Sequence, residues 1–90
     1  MHMDIEWDAG KAAVNLRKHG VSFDEVATAL LDPSGLAQED ASVLGERRWV
    51  LVGMSARMRL LTVIYTLRRE DCIRLISARR ATRKEAAYYA

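Results

Sequence analysis

Ile73-Arg74-Leu75-Ile76-Ser77-Ala78-Arg79-Arg80-Ala81-Thr82-Arg83-Lys84-Glu85 is an apolar run that passes directly into an arginine-rich helix start. Residues 72–78 have the apolar, β-branched character of a buried strand. Thr82-Arg83-Lys84-Glu85 has the form of a capping box, in which the Thr and Glu side chains each satisfy the other's backbone N–H. Five basic residues fall between Arg74 and Lys84, and only Glu85 answers them locally. Guanidinium groups carried on a strand and the helix after it are held on rigid backbone, and each presents a planar fork of donors matched to phosphate oxygens. The stretch points to a phosphate-bearing ligand, nucleic acid first.

Working outward from it, residues 48–54 and 60–67 have the same strand composition, and the linkers 55–59 and 68–71 are polar and of hairpin length. Neighbouring strands are therefore expected to be antiparallel. A shorter strand is expected at 36–39, with a polar loop at 41–46, and Ile5-Glu6-Trp7 alternates as a short edge strand does. Asp8 is placed to cap a helix over 9–19, with Ala12, Ala13 and Leu16 on one face and Gly20 as a left-handed terminator. Ser22-Phe23-Asp24-Glu25 is another capping box, opening a helix that runs to about 31. Its expected buried stripe is Val26, Ala27, Leu30 and Leu31, and Asp32-Pro33 ends it. The order predicts an α+β fold: two N-terminal helices packed on an antiparallel sheet of three to four strands, with a short C-terminal helix. Ninety residues make one domain, 1–90.

Composition sets bounds. Half of the residues are hydrophobic, which argues for a packed core, although a chain this short buries only about 60–65% of its unfolded surface. Cys72 is the lone cysteine, so no internal disulfide forms; a buried thiol suits a reducing cytoplasm. No apolar run is long enough for a membrane helix, and no signal peptide opens the chain. Met1-His2 ahead of Met3 reads as a vector-derived extension, so His2 is given no role. Residues 1–45 hold three basic residues against eight acids, and residues 46–90 eleven against four. That asymmetry directs the second half toward a polyanion or an acidic partner.

Trp7-Asp8, Lys11, Asn15, Lys18-His19-Gly20 and Phe23, then Gly45-Glu46-Arg47, Gly53, Val63-Ile64-Tyr65 and Arg74-Leu75-Ile76-Ser77-Ala78-Arg79-Arg80-Ala81, with Glu85 and Tyr88, occur in this order. Together they resemble the signature of BrnT-type toxins along nearly the whole chain. The resemblance implies a fold related to RelE-like ribonucleases and the toxin half of a bacterial type II toxin–antitoxin pair. It also implies RNA cleavage that arrests translation and growth. The implied partner is a BrnA-like antitoxin with a ribbon-helix-helix DNA-binding domain.

RNA is cut without metal or other cofactor when its 2′-hydroxyl attacks the adjacent phosphorus, and fixed cations near the phosphoryl oxygens supply much of the rate. Arg74, Arg79, Arg80 and Arg83 are candidates for that work. His19, Glu85, Tyr65 and Lys18 are candidates for proton handling, a contribution of about 10²–10⁴-fold. Arg79, at the strand–helix junction, is the leading candidate; the plainer alternative is a surface ion pair with Glu85 or an N-terminal acid. Arg74 lies on the sheet face opposite Ile73 and Leu75, where it meets either a phosphate or a cross-strand partner. Glu85 has its capping-box role as an alternative, and His19 an interaction with its own helix dipole. Tyr65 reads as a phosphate-orienting or stacking residue, or as half-buried core. Arg80, Arg83 and Lys18 read as RNA-binding charges, and Trp7 as packing. Two histidines and one cysteine at no ligand spacing make no zinc site. No glycine-rich phosphate loop or nucleophilic serine or cysteine constellation is present. The competing function is a basic module that grips RNA or DNA without cutting it, with salt-sensitive affinity.

Overall fold

The structure, a computed structural model, describes residues 3–40 and 47–89. Its elements are β1 (Asp4–Glu6), α1 (Ala9–His19), α2 (Phe23–Ala29), β2 (Leu36–Asp40), β3 (Arg48–Met54), β4 (Leu60–Arg69), β5 (Cys72–Arg80) and α3 (Arg83–Tyr89). The expected loop at 41–46 and the Met1-His2 extension lie outside the described residues. The fold is the expected α+β class, but among the described residues the sheet has five strands rather than three to four, in the order β1-β5-β4-β3-β2, and it is mixed rather than wholly antiparallel. The meander β2 to β5 is antiparallel, as the hairpin-length linkers require. β1 is the fifth strand and pairs parallel to β5 through Asp4–Cys72, Ile5–Ile73 and Glu6–Arg74. Its partner lies 68 residues away in the sequence, so the local pattern carries no trace of the pairing.

Alternation along the strands separates two faces. Leu51, Leu61, Val63, Tyr65, Leu75 and Ala78 point to one face and form the core with Val21, Phe23, Val26 and Ala29. Each fully buried aliphatic or aromatic side chain of this set contributes about 1.5–3 kcal/mol. At Gly53 a Cβ would come within 2.8 Å of the Ala29 carbonyl oxygen, so α2 can lie this close to β3 only over a glycine.

Both N-terminal helices depart in part from their expected faces: Ala12, Val26 and Leu30 meet the core as expected, and other positions do not. Asp8 and Gly20 cap α1 as predicted: Asp8 accepts from the Lys11 N–H, and Gly20 is left-handed at φ 70°. Yet Leu16 is exposed, and the buried residue of α1 is Asn15. β1 stops at Glu6, opposite Arg74, and leaves the outer edge of β5 bare beyond that point. Asn15 covers it: its Oδ1 accepts from the Ala78 N–H at 3.0 Å, while its Nδ2 donates to the Val21 carbonyl at 3.0 Å. α1 therefore serves the sheet edge with an amide rather than the sheet face with leucine. In α2 the buried positions are Phe23, Glu25, Val26 and Ala29, and the helix stops at Ala29. Leu31 lies past that end and is exposed. There the Asp32 carboxylate accepts from the N–H groups of Ser34 and Met54, replacing a further helical turn with a turn tied to β3.

The charge asymmetry of the two halves is partly matched within the fold. Acids of the first half pair with arginines of the second: Glu6 with Arg74, Glu25 with Arg59, Glu39 with Arg47, and Asp4 with Arg69. Four of the eight N-terminal acids are thus matched to arginines of the second half.

Candidate nucleic-acid site

The second face of the sheet, opposite α2, carries the candidate cations. Strand register sets Leu36, Val52, Thr62 and Arg79 in one row, Gln38, Val50, Ile64 and Ser77 in the next, and Asp40, Arg48, Thr66, Arg74 and Glu6 in a third. Arg74 and Arg79 are five positions apart, an odd spacing that sends two side chains of a regular strand to opposite faces. A bulge at Ile76 restores them to one face: Ile64 pairs with Ser77 and Tyr65 with Leu75, leaving Ile76 as the extra residue. Across β4 their partners are Thr62 and Thr66, roughly 13 Å apart at the rise of a strand.

Arg79 is braced. Its Nη1 and Nη2 donate to the two carboxylate oxygens of Glu85 at 2.8 Å each, and Nη1 also reaches the Arg80 carbonyl at 3.3 Å. Glu85 is fixed in turn by the Thr62 hydroxyl and by the Thr82 N–H, both at 2.8 Å, while its own N–H bonds the Thr82 hydroxyl at 3.1 Å. The capping box predicted from the sequence is thus reciprocal, and it holds the arginine at the strand–helix junction. Arg79, with the Thr82 and Thr62 bonds, takes the Glu85 carboxyl down to about 2 against the opposing effect of burial. Glu85 is therefore ionised at neutral pH and is spent on holding Arg79. A guanidinium has five N–H donors. Among the described residues the Nε–H and one Nη2–H of Arg79 keep no partner, and these two form the side-on fork that matches a phosphate. A groove of about 510 Å³ adjoins the pair, lined by Leu36, Gln38, Val50, Val52, Glu85 and Tyr88.

Arg74 takes the cross-strand alternative, with Nη1 donating to Glu6 at 2.6 Å. The other Glu6 oxygen accepts from the Cys72 thiol, which is buried as expected. That bond is the largest cause lowering the Glu6 carboxyl, and it pushes the thiol pKa up. His19 and Lys18, in the last turn of α1, reach the same side of β5. With Lys11, Val14, Ile76 and Ser77 they line a cleft of about 550 Å³, and Ser77 belongs to the row between Arg79 and Arg74. Tyr65 is apart from them: it lies in the core on the helix face, 9% exposed, and its phenol is raised by burial. The alternation of Leu61, Val63 and Tyr65 against Thr62, Ile64 and Thr66 is the signal that carries this placement. Arg80 and Arg83 are exposed beside the junction. Trp7 packs edge-to-face on Phe23, with centroids 5.9 Å apart. Thr62 and Lys11 were not among the sequence-derived site residues; the strand register sets the buried Thr62 beside Arg79, and the packing of α1 on β5 brings Lys11 to the cleft. Among the described residues no three of His, Cys, Asp and Glu gather as metal ligands, and no helix is long and apolar enough to cross a membrane.

Comparison with known proteins bears on the family and the fold. A family model described as "Ribonuclease toxin, BrnT, of type II toxin-antitoxin system" matches residues 7–85. The solved structure of the Brucella abortus ribonuclease toxin BrnT aligns with a TM-score of 0.66 at 24% identity, over 90% of this chain and 99% of that one. At that identity the likeness shows the fold, the RelE-like arrangement implied by the resemblance. Comparison with curated proteins gives no match.

Proposed function

The chain belongs to the BrnT family of ribonuclease toxins of type II toxin–antitoxin systems, and we propose that it is a metal-independent endoribonuclease centred on Arg79. The observation that carries this reading is the braced guanidinium. Arg79 is oriented by Glu85 and retains a side-on fork beside the groove between α3 and the sheet. In the proposed reaction the RNA 2′-oxygen forms a bond to phosphorus as the bond to the 5′-oxygen breaks, leaving a 2′,3′-cyclic phosphate and a 5′-hydroxyl. Arg79 meets the charge that develops on the non-bridging oxygens, and preorganised donors of this kind act without reorganising during the reaction. Arg74, on the same face, binds along the same strand of RNA, and Arg80 and Arg83 add attraction at its approach. His19 and Lys18 handle the protons from the end of α1. Glu85 acts through Arg79, because a carboxyl with a pKa of about 2 holds no proton to give near neutrality. Tyr65 serves the core.

The partner in this reading is a BrnA-like antitoxin with a ribbon-helix-helix DNA-binding domain, covering the arginine face and its apolar groove, with the pair working in the cytoplasm. Cleavage of RNA by purified protein in EDTA, run beside Arg79→Ala with the product ends identified, tests the chemistry. Cyclic phosphate ends that vanish with Arg79 are the expected result. RNA that is bound and left intact identifies a gripping module instead, and undiminished cleavage by folded Arg79→Ala moves the site elsewhere.

A further inference from the structure

We infer that the cleft between α1 and β5 is a nucleotide subsite, which holds the RNA nucleotide next to the one cut at Arg79. This rests on the ribonuclease reading and adds a place for the substrate. The cleft, at about 550 Å³, falls within the range of small-molecule sites. Its walls combine two kinds of surface. Lys11 and Lys18 are seven residues apart, so they stand on one face of α1 about 10 Å from each other. Among the described residues neither makes an ion pair, whereas Arg47, Arg57, Arg59, Arg69, Arg74 and Arg79 all do. Between the lysines lies Val14, an apolar side chain left 51% exposed. Opposite it stand Ile76 and Ser77, two successive residues that the β5 bulge places on the same wall.

An apolar floor with cations at its rim fits a nucleobase and its phosphate. The Asp8 carboxylate, at the amino end of α1, is engaged by the Lys11 N–H at 2.9 Å and disfavours a phosphate there. The anion therefore sits away from Asp8, between the ammonium groups of Lys11 and Lys18. Ser77 shares its face with Arg79 two residues along, about 7 Å, so a strand gripped at Arg79 passes directly into the cleft.

The test uses a short 2′-O-methyl RNA, which binds but lacks the attacking hydroxyl, together with cleavage kinetics on ordinary RNA. Lys11→Ala and Val14→Glu sit at exposed positions outside the residues assigned to the reaction. Lys11→Ala is expected to lower the slope of log affinity against log salt by about 0.7, the value for one lost phosphate contact on a single strand. Val14→Glu is expected to weaken binding and raise KM by about tenfold, as one charge close to a phosphate does. kcat should stay near that of the unmodified chain, because binding that is equal in ground and transition states is what is removed. If both variants bind and cut as the unmodified chain does while Arg79→Ala is inactive, the subsite is overturned and the ribonuclease reading stands. If the unmodified chain neither binds nor cuts RNA, the reading falls and takes the subsite with it. Variants that keep RNA binding but lose capture by the antitoxin make the cleft a protein-docking surface and overturn the inference.

Discussion

Glu25 and Glu85 start from the same four-residue pattern and end in different employment. Each closes a Ser/Thr-x-x-Glu box at the start of a helix, each is gripped by an arginine through two bonds and by one hydroxyl, and each carboxyl is brought down to about 2, chiefly by that arginine. Around Glu25 the arrangement is sealed. Its side chain is 3% exposed, and it takes Ser55 at 2.7 Å and both Nε and Nη2 of Arg59. Arg59 also donates to the Gly20 carbonyl, which ties the end of α1, the start of α2 and the β3–β4 hairpin together. The return bond of its capping box is given up for this; only the Ser22 hydroxyl bond to the Glu25 N–H remains. Around Glu85 the box is complete and the side chain is 23% exposed. The arginine there is held at one edge and open at the other. The same residue types thus make a joint where Arg59 spends its side-on edge on a buried carboxylate, and a presented cation where Arg79 is held end-on and keeps that edge.

The largest expected effect breaks the joint. Orphaning the Glu25 carboxylate in its buried setting costs about 3–5 kcal/mol. Arg59→Ala should therefore lower the urea midpoint far more than Arg79→Ala; the reverse order would erase the distinction between the two centres. Next, Arg79→Ala should cut RNA cleavage by about 10²–10³-fold, the loss typical of a transition-state donor, while the loss of a part-exposed pair changes stability by only about 0–1 kcal/mol.

Acid sharpens the comparison. Both folded carboxyls lie near 2 against an ordinary 4.5, so each contributes stability that is complete above pH 4.5 and lost as pH falls toward 2. Replacing Glu25 by Gln should flatten this acid limb of the stability profile more than Glu85→Gln does, because screening is weaker at the buried site. The smallest effects come from the caps. Ser22→Ala and Thr82→Ala should each cost about 1 kcal/mol, but only Thr82→Ala should also slow cleavage, since α3 carries the brace of Arg79. Thermal melts beside initial rates separate the two.

Much of the fold was legible because it rests on local chemistry. The strand over 48–54, the hairpins and the three helix starts at Asp8, Ser22 and Thr82 follow from β-branched runs, polar linkers and capping residues. The exposed Leu16 and the buried Asn15 were not legible, because α1 answers an unpaired strand edge that exists only once β1 has stopped short beside β5. Helix periodicity cannot report that. The site was legible in its residue types and only partly in its grouping. Arg79, Glu85 and Thr82 are near neighbours in sequence, and their box could be read directly. Lys18 and His19 come to line a cleft with Ser77 only through the packing of α1 on β5.

By itself, then, the sequence determined which segments are strands and helices, where the helices start, and that an arginine would be held at the end of the last strand. Those outcomes depend on backbone preferences and on side chains a few residues apart. Tertiary structure alone decided which cations share a face. An odd spacing would have split Arg74 from Arg79, and one extra residue at Ile76 reunites them because strand register, set by the pairing partner, fixes the direction of every side chain beyond it.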